Sequence, residues 1–214
     1  MSARLTPRPL DAFPGENRSG RRLVYRLVAA VDIERYSARD VRGQLDAQTT
    51  LDAVLTAAAD AAGLDRAGWY RQVNGDGELS VLPADTCPAL VVGDFTRHLA
   101  AAVSDRNQGA ERPLRLRIAL HHGTLLPGPF GPAGDAPIVA ARLLNATPLR
   151  RLLSHQSGHD TALIISAALF RDVVTTGLCA LTPERFHPAR ITAKGVTYHA
   201  HLHRPLPTFA AIAA

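Results

Sequence analysis

Cysteine and aromatic residues are scarce in this chain of 214 residues. Its two cysteines, Cys87 and Cys179, fit no metal-ligand spacing, so we expect neither a cysteine-ligated metal nor an oxidising compartment. Aromatics make up 5%, too few for the stacking platforms that bind single-stranded nucleic acid. No apolar stretch approaches the length of a membrane span, and the N-terminus lacks a signal-peptide core. We therefore expect a cytoplasmic protein that does not contact membranes.

The charge balance is modest. The net charge is +5, with 20% charged and 46% hydrophobic residues, which is typical of a globular protein. A basic surface favours polyanions, but no run of basic residues forms a nucleic-acid-binding arm, so we do not expect a nucleic-acid partner. The length suits one domain, which we assign to residues 21–204. Residues 1–20, rich in Pro, Arg, Gly and Ser, are expected to form a flexible arm, and 205–214 a tail.

Hydrophobic periodicity predicts the element order β-α-β-β-α-β-α, followed by a β-rich end. The first strand, at 23–31, is apolar on both sides, as in a strand buried on both faces. Asn-Gly and Asp-Gly between two short strands at 69–73 and 79–82 predict a hairpin. A single helix is expected from about 138 to 153, and a closing strand pair at 190–193 and 197–203. This order predicts an α+β fold, an antiparallel sheet with helices on one face.

Two carboxylates stand out. Asp32 directly follows the buried strand, and Asp76 lies in the turn of the predicted hairpin. If that hairpin pairs beside the first strand, both carboxylates lie at one rim of the sheet, where Mg²⁺ could use them together with substrate phosphates. Gly75 and Gly77 flank Asp76 and allow the backbone to approach a ligand. Taken singly, Asp32 also fits a simple strand cap and Asp76 a simple turn residue.

Five segments, in order, resemble the motifs of class III adenylyl and guanylyl cyclases. Residues 30–37 and 74–77 match the family's two metal motifs, and residues 116–123 match the strand before its active-site loop. Residues 134–143 match the helix that follows, and residues 193–198 match the closing Lys-Gly turn. The set covers about residues 22–203. By this resemblance the chain is similar to a divergent bacterial member of the family, and the implied fold is a ferredoxin-like α+β domain.

The resemblance also implies a reaction. In the family, two Mg²⁺ or Mn²⁺ ions are held by two aspartates and one carbonyl, which correspond here to Asp32, Asp76 and the carbonyl of Ile33. One ion activates the ribose 3′-hydroxyl of a nucleoside triphosphate and the other binds the triphosphate. A 3′,5′-cyclic monophosphate forms and pyrophosphate leaves. The turn after Asp32 would cradle the phosphates through its backbone amides: Glu34, Arg35, Tyr36 and Ser37.

Two basic residues match the family's remaining phosphate contacts. Arg142 corresponds to the transition-state arginine, which approaches from the partner subunit, and Lys194 to a phosphate-contacting lysine. The resemblance therefore implies a head-to-tail homodimer with shared active sites. Without it, Arg142 would be interpreted as a solvated helix arginine and Lys194 as a surface lysine.

Four positions depart from the family pattern. Ile138 stands where an asparagine orients the ribose, and isoleucine cannot form that hydrogen bond. Gln72 and Gly131 occupy the two base-selecting positions without specifying adenine or guanine, and Arg35 replaces a glycine of the phosphate turn. The resemblance leaves the base open between a purine and a pyrimidine, the latter as in the cyclases of bacterial phage-defence systems. Two interpretations stay open: a nucleotidyl cyclase, which the two metal motifs favour, and a cyclase-like module that binds a nucleotide or a protein without turnover.

Overall fold

The computed structural model of the chain describes residues 23–155 and 159–204. Its strands are β1 to β7, in chain order: Val24–Ile33, Tyr70–Asn74, Gly77–Val81, Leu116–Leu125, Thr161–Ser166, Phe186–Ala193 and Val196–His203. Its α-helices are α1 to α6: Val41–Ala61, Pro88–Leu90, Thr96–Asn107, Asp135–Leu144, Thr147–His155 and Ala167–Val173. A π-helical segment, Val91–Phe95, joins α2 to α3. The predicted arm (1–20) and tail (205–214) lie outside the described residues.

All seven strands form one sheet in the order β2-β3-β1-β4-β5-β7-β6. Residues 24–125 build the ferredoxin-like part, in which neighbouring strands are antiparallel. α1 connects β1 to β2 and α3 connects β3 to β4, and in each pair the two strands run in the same direction with one antiparallel strand between them. β4 and β5 are parallel, and β7 and β6 extend the sheet beyond them. We call the end at which β1 finishes, at Ile33, the Asp32 end of the sheet, and the opposite end the far end.

Two hydrophobic cores lie on opposite faces of this sheet, because alternate residues of β1 point to opposite sides. Leu27, Val31 and Ile33 pack with buried residues of α1 and α3. Val24, Val28 and Ala30 pack instead with buried residues of α4 and α5. We call these sides the α1 face and the α4 face.

The expected α+β class is confirmed, and five details differ from the expectation. The sheet is mixed and not wholly antiparallel, because β4 and β5 run parallel. β1 extends through Asp32 to Ile33, because both residues pair with β4.

The other three differences concern the helices and β6. Helices cover both faces, because a strand that is apolar on both sides needs cover on both. The helix predicted at 138–153 is two helices, since Pro148 has no N–H and cannot continue α4. β6 begins already at Phe186, although it contains Pro188. Proline is tolerated there because β6 is an edge strand.

None of the helices within 23–155 and 159–204 combines the length and the apolar character needed to cross a membrane.

Candidate functional site

Asp32 and Asp76 lie together at the Asp32 end of the sheet. In the register of β1 and β3, Asp32 is opposite Gly77, and the N–H of Ile33 donates to the carbonyl of Asp76 at 2.8 Å. Asp32 is 7% exposed, whereas Asp76 is exposed in the turn. Burial raises the pKa of Asp32 above its ordinary value, and the charge of Asp76 raises it further, while hydrogen bonds and charge from Arg117 oppose both. The two carboxylates therefore act on each other electrostatically.

Gly77 makes this close approach feasible. A Cβ atom at this position would lie 2.1 Å from the carbonyl oxygen of Val31 and 2.9 Å from the Cα of Asp32. No side chain fits into that space. The glycine after Asp76 is therefore required by the packing of β3 against β1, and it brings the turn directly beside Asp32.

Arg117 binds both oxygens of the Asp32 carboxylate. Its Nε donates to Oδ1 and its Nη2 to Oδ2, each at 2.7 Å. The two residues are directly opposite each other on β1 and β4, and their side chains are only 13% and 10% exposed. This two-bonded geometry is the strongest form of arginine–carboxylate pair, and it fixes the orientation of Asp32.

The turn after Asp32 contains the predicted phosphate-binding residues. The amide of Glu34 is already bonded to the carbonyl of Arg115 at 2.8 Å, and its carboxylate pairs with the Arg115 guanidinium at 2.8 Å. Glu34 thus offers no free amide to a phosphate. Arg35 and Ser37 are exposed, and Arg35 has a left-handed backbone with φ of 55°. The bends of this turn leave the side chain of Arg35 at the surface.

Gln48 of α1 connects this turn to the turn that carries Asp76. Its side-chain amide donates to the Tyr36 hydroxyl and to the carbonyl of Gly75, both at 2.7 Å. Gly75 also lies against the Tyr36 ring, since a Cβ atom there would be 3.8 Å from Tyr36 Cε1. The two turns that carry the metal motifs are therefore held together by a helix side chain.

Gln72 and Gly131 also come together. A Cβ atom at Gly131 would lie 2.7 Å from the Gln72 Oε1 and 3.2 Å from the Tyr70 hydroxyl, and Gly131 has φ of 113°. The loop between β4 and α4 thus crosses the sheet on the α4 face and rests on β2. The two positions that correspond to base selection in the cyclase family form one small polar patch.

Arg142 and Lys194 lie apart from the carboxylates. Ile138 and Arg142 are one turn apart on α4, and Ile138 is 48% exposed. Lys194 is exposed at the β6–β7 turn, also with a left-handed backbone (φ of 50°). Because β5 runs from Thr161 at the Asp32 end to Ser166, which pairs with Ala200, this turn lies at the far end of the sheet. Neither basic side chain forms an ion pair within the described parts of the chain.

Comparison with solved structures shows which fold this is. The chain is similar to the guanylyl cyclase Cya2, with a TM-score of 0.61 and 14% identity over 86% of this chain and 93% of that one. It is similar to the adenylyl cyclase CyaB from P. aeruginosa, with a TM-score of 0.55 and 15% identity over 87% and 96% of the two chains. It is also similar to a bacterial light-regulated adenylyl cyclase, with a TM-score of 0.58 and 15% identity over 86% of this chain and 91% of that one. No protein-family model matches the sequence, and no curated protein matches it significantly.

The chain has the class III cyclase catalytic-domain fold. At these low identities the likeness concerns the fold and not the reaction.

The cyclase fold typically uses two metal ions, and the residues at the Asp32 end fit that use. Carboxylate oxygens are the donors that Mg²⁺ prefers, and each oxygen of Asp32 keeps a second lone pair beside its bond to Arg117. Within the described ranges, no three His, Cys, Asp or Glu side chains lie close enough together to hold a metal. In the described part of the chain, Asp32 and Asp76 are the candidate carboxylate ligands at this end, and the Ile33 carbonyl with phosphate or water oxygens would complete the coordination.

Three residues of this site were not predicted to have a role. Arg117 lies within a recognised motif, but its contact with Asp32 depends on the β1–β4 register, which the sequence does not specify. Gln48 lies in the middle of a long helix, where nothing marks it from its polar neighbours. Arg115 directly precedes β4, and its alternation with apolar residues does not reveal that its guanidinium contacts the carbonyls of Leu153 and His159.

Proposed function

We propose that this protein is a nucleotidyl cyclase, which converts a nucleoside triphosphate into a 3′,5′-cyclic monophosphate and pyrophosphate. The observation that carries the proposal is the pairing of Asp32 and Asp76 at one end of a cyclase fold. The two segments are joined by the hydrogen bond from the Ile33 N–H to the Asp76 carbonyl, and the turn that follows Asp32 flanks both carboxylates. In the proposed reaction the 3′-oxygen attacks the α-phosphorus, the bond to the β-phosphate oxygen breaks, and the hydroxyl proton passes to solvent.

Different residues of the chain would bind the metal ions, the phosphates and the base in this reaction. Asp32, Asp76 and the carbonyl of Ile33 would hold two divalent cations. When bound, such ions favour the deprotonated hydroxyl and neutralise charge on the triphosphate. Arg142 would place its planar fork on the α-phosphate, where negative charge accumulates. Lys194 would contact the outer phosphates, and Gln72 would read the base with both its donor and its acceptor.

These groups can meet only if two copies of the chain share the site. Lys194 is at the far end of the sheet, roughly 30 Å of strand away from Asp32. A second copy in head-to-tail orientation would bring its Arg142 and Lys194 to the first copy's carboxylates. The α4 face also exposes apolar side chains, Phe130 at 95% and Ile138 at 48%, which a partner would cover.

A second candidate function is a binding module without turnover, and Ile138 favours it. This residue occupies the position of the asparagine that orients the ribose in the cyclase family, on the exposed side of α4. Loss of one such hydrogen bond to a transition state typically costs roughly 3 to 4 kcal/mol. The carboxylate pair would then bind a metal–nucleotide complex as a signal and not as a substrate.

The direct test is to incubate the purified protein with ATP, GTP, CTP and UTP, in Mn²⁺ and separately in Mg²⁺, and to analyse the products by mass spectrometry. We expect a cyclic monophosphate and pyrophosphate from one nucleotide. Asp32→Ala should abolish the product, whereas Asp46→Ala, at an exposed position on α1, should not. Binding of metal and nucleotide without any product would support the binding module and refute the proposed cyclase activity.

Ile138→Asn separates the two functions further. If the missing amide limits the reaction, the variant should form product faster by about tenfold or more, since one restored transition-state contact is worth at least that. Initial rates at saturating nucleotide measure the effect. Ile138→Ala, which removes the apolar side chain without adding an amide, is the control and should not accelerate the reaction.

A further inference from the structure

Arg117 gives the free protein an ion pair that competes directly with a metal at Asp32. The guanidinium contacts both carboxylate oxygens at 2.7 Å, and the side chains are 13% and 10% exposed, so water screens the pair only weakly. The two residues are cross-strand neighbours in the centre of the sheet, so the contact follows from the register and not from a chance rotamer. Asp32 is therefore already neutralised by a positive charge of the protein.

The surroundings add more positive charge and little negative charge. Arg150 of α5 also acts electrostatically on Asp32, although it forms no hydrogen bond with it. Glu34, two residues after Asp32, is itself paired with Arg115. Among the described residues, Asp76 is the carboxylate that acts on Asp32 electrostatically and could attract a cation there. A free divalent cation meets repulsion here, whereas a metal–triphosphate complex carries net negative charge and is attracted by the same arginines.

We propose that Arg117 is a resident counter-cation that makes metal binding at Asp32 depend on the nucleotide. The proposal rests on the proposed function, because it takes Asp32 as a metal ligand. Arg117 is a positioning residue: it holds the Asp32 carboxylate in place and neutralises it until a metal arrives with its triphosphate. The free protein then neither accumulates metal nor leaves a buried carboxylate unpaired.

The test measures Mn²⁺ binding without nucleotide, by electron paramagnetic resonance of the unbound ion. The wild-type protein should bind Mn²⁺ weakly, and Arg117→Gln should bind it about tenfold more tightly or better. A neighbouring cation changes the affinity of a carboxylate for a proton by one to three powers of ten, and Mn²⁺ competes in the same way. The double variant Asp32→Asn, Arg117→Gln should not show this increase in Mn²⁺ affinity, which would show that the additional binding occurs at Asp32.

Two further variants separate the ion pair from general charge and from misfolding. Arg150→Gln removes a nearby exposed positive charge without touching Asp32, and its Mn²⁺ affinity should stay within about twofold of wild type. Arg117→Lys keeps the positive charge but loses the planar guanidinium that binds both carboxylate oxygens, so Mn²⁺ binding should stay weak. If Arg117→Gln fails to fold, the lysine variant decides alone: weak Mn²⁺ binding without nucleotide upholds the proposal, and a tenfold gain overturns it.

Equal Mn²⁺ affinities of wild type and folded Arg117→Gln would also overturn the proposal. Its failure can be told apart from failure of the proposed function by repeating the titration with a non-reacting α,β-methylene triphosphate. If the wild type binds Mn²⁺ with this analogue but Arg117→Gln gains nothing without it, the counter-cation is wrong and the metal–nucleotide site stands. If neither protein binds Mn²⁺ even with the analogues of all four bases, the metal site itself is refuted.

Discussion

Arg35 illustrates at the scale of a single residue how this chain departs from the cyclase family. Its φ of 55° lies in the left-handed region, where a Cβ atom crowds the following carbonyl, and the family has glycine at this position. The chain therefore adopts a left-handed backbone at this position with a residue type that disfavours it. Such strain is maintained only where surrounding contacts determine the backbone, here the end of β1 and the Tyr36 contact with Gln48.

Arg35→Gly should therefore stabilise the protein. The left-handed conformation costs roughly 1 to 2 kcal/mol, and glycine loses about 0.5 to 1 kcal/mol through its freer unfolded state. The free energy of unfolding should rise by roughly 0.5 to 1 kcal/mol, as measured by urea denaturation. Arg35→Ala keeps the Cβ atom and should give no gain; equal stabilisation of both variants would show that the Arg35 side chain, and not its backbone, is responsible.

His121 makes the stability depend on pH. Burial lowers its pKa to about 4, and its Nδ1 has no hydrogen-bond partner among the described residues. An unfolded histidine titrates near pH 6.5, so between about pH 6.5 and pH 4 the unfolded state binds more protons, and the free energy of unfolding falls as the pH is lowered. His203, whose pKa burial also lowers to about 4, acts in the same direction.

We expect Tm to be lower at pH 5.0 than at pH 7.5, and His121→Gln to reduce that difference. Comparing variant with wild type cancels the contribution of Asp32, whose raised pKa acts in the opposite sense. His187→Gln, at an exposed position on β6, is the matched control. A difference in Tm that is the same in wild type and His121→Gln would contradict this assignment.

At the scale of elements, α1 supports the site as well as the core. Its inner face buries Leu51, Val54 and Leu55, and its N-terminus is capped by Asp40, which accepts a hydrogen bond from the Gly43 amide at 3.0 Å. On its other side Gln48 joins the Tyr36 turn to the Gly75 turn. One rigid helix therefore sets the distance between the two carboxylate-bearing segments.

Gln48→Ala should loosen this connection. Two hydrogen bonds at about 1 kcal/mol each predict a loss of roughly 1 to 2 kcal/mol in stability. It should also weaken binding of Mn²⁺ with a non-reacting nucleotide, measured by calorimetry, because the two turns are then free to move apart. Gln44→Ala, on the same helix, loses one bond to the Arg39 carbonyl and touches neither turn. Equal nucleotide affinities of the two variants would show that Gln48 has only a structural role.

The sequence predicted elements better than contacts. Alternation and helical spacing located β1, α1 and the β2–β3 hairpin, and the motif turns marked Asp32 and Asp76, because these signals lie within short segments. The break before Pro148 was missed because apolar residues recur at helical spacing on both sides of it. The early start of β6 was missed because the sequence does not show which strand lies at an edge, where proline is tolerated. The Asp32–Arg117 pair could not be predicted, since a register shift of one residue would move Arg117 to the other face.

At the scale of the whole molecule, each copy offers two half-sites on different parts of its surface. The carboxylates are at the Asp32 end of the sheet, and Lys194 is at the far end. Arg142 lies on α4, which comes between Asp76 and Lys194 in the sequence. A shared site gives a dimer two equivalent sites, each built from the carboxylates of one copy and the basic residues of the other. If the proposed dimer forms, this arrangement would make the proposed activity depend on protein concentration.

Mixing two inactive variants tests the shared site. Asp32→Ala and Arg142→Ala should each abolish product formation, but an equal mixture contains heterodimers in which one of the two sites has both groups intact. Activity should recover to about a quarter of wild type, because half of the dimers are mixed and half of their sites are complete. No recovery after joint refolding, with heterodimers detected by native mass spectrometry, would refute a site shared between subunits.

Pro188 has a consequence for how such copies can assemble. The outermost strands of the sheet are β2, with five residues, and β6, which carries this proline. A short border and a border that lacks one amide are poor templates for a neighbouring strand, so lateral growth into a continuous ribbon is discouraged. The proposed dimer would therefore form through the broad faces, where a two-fold arrangement closes on itself and stops at two chains.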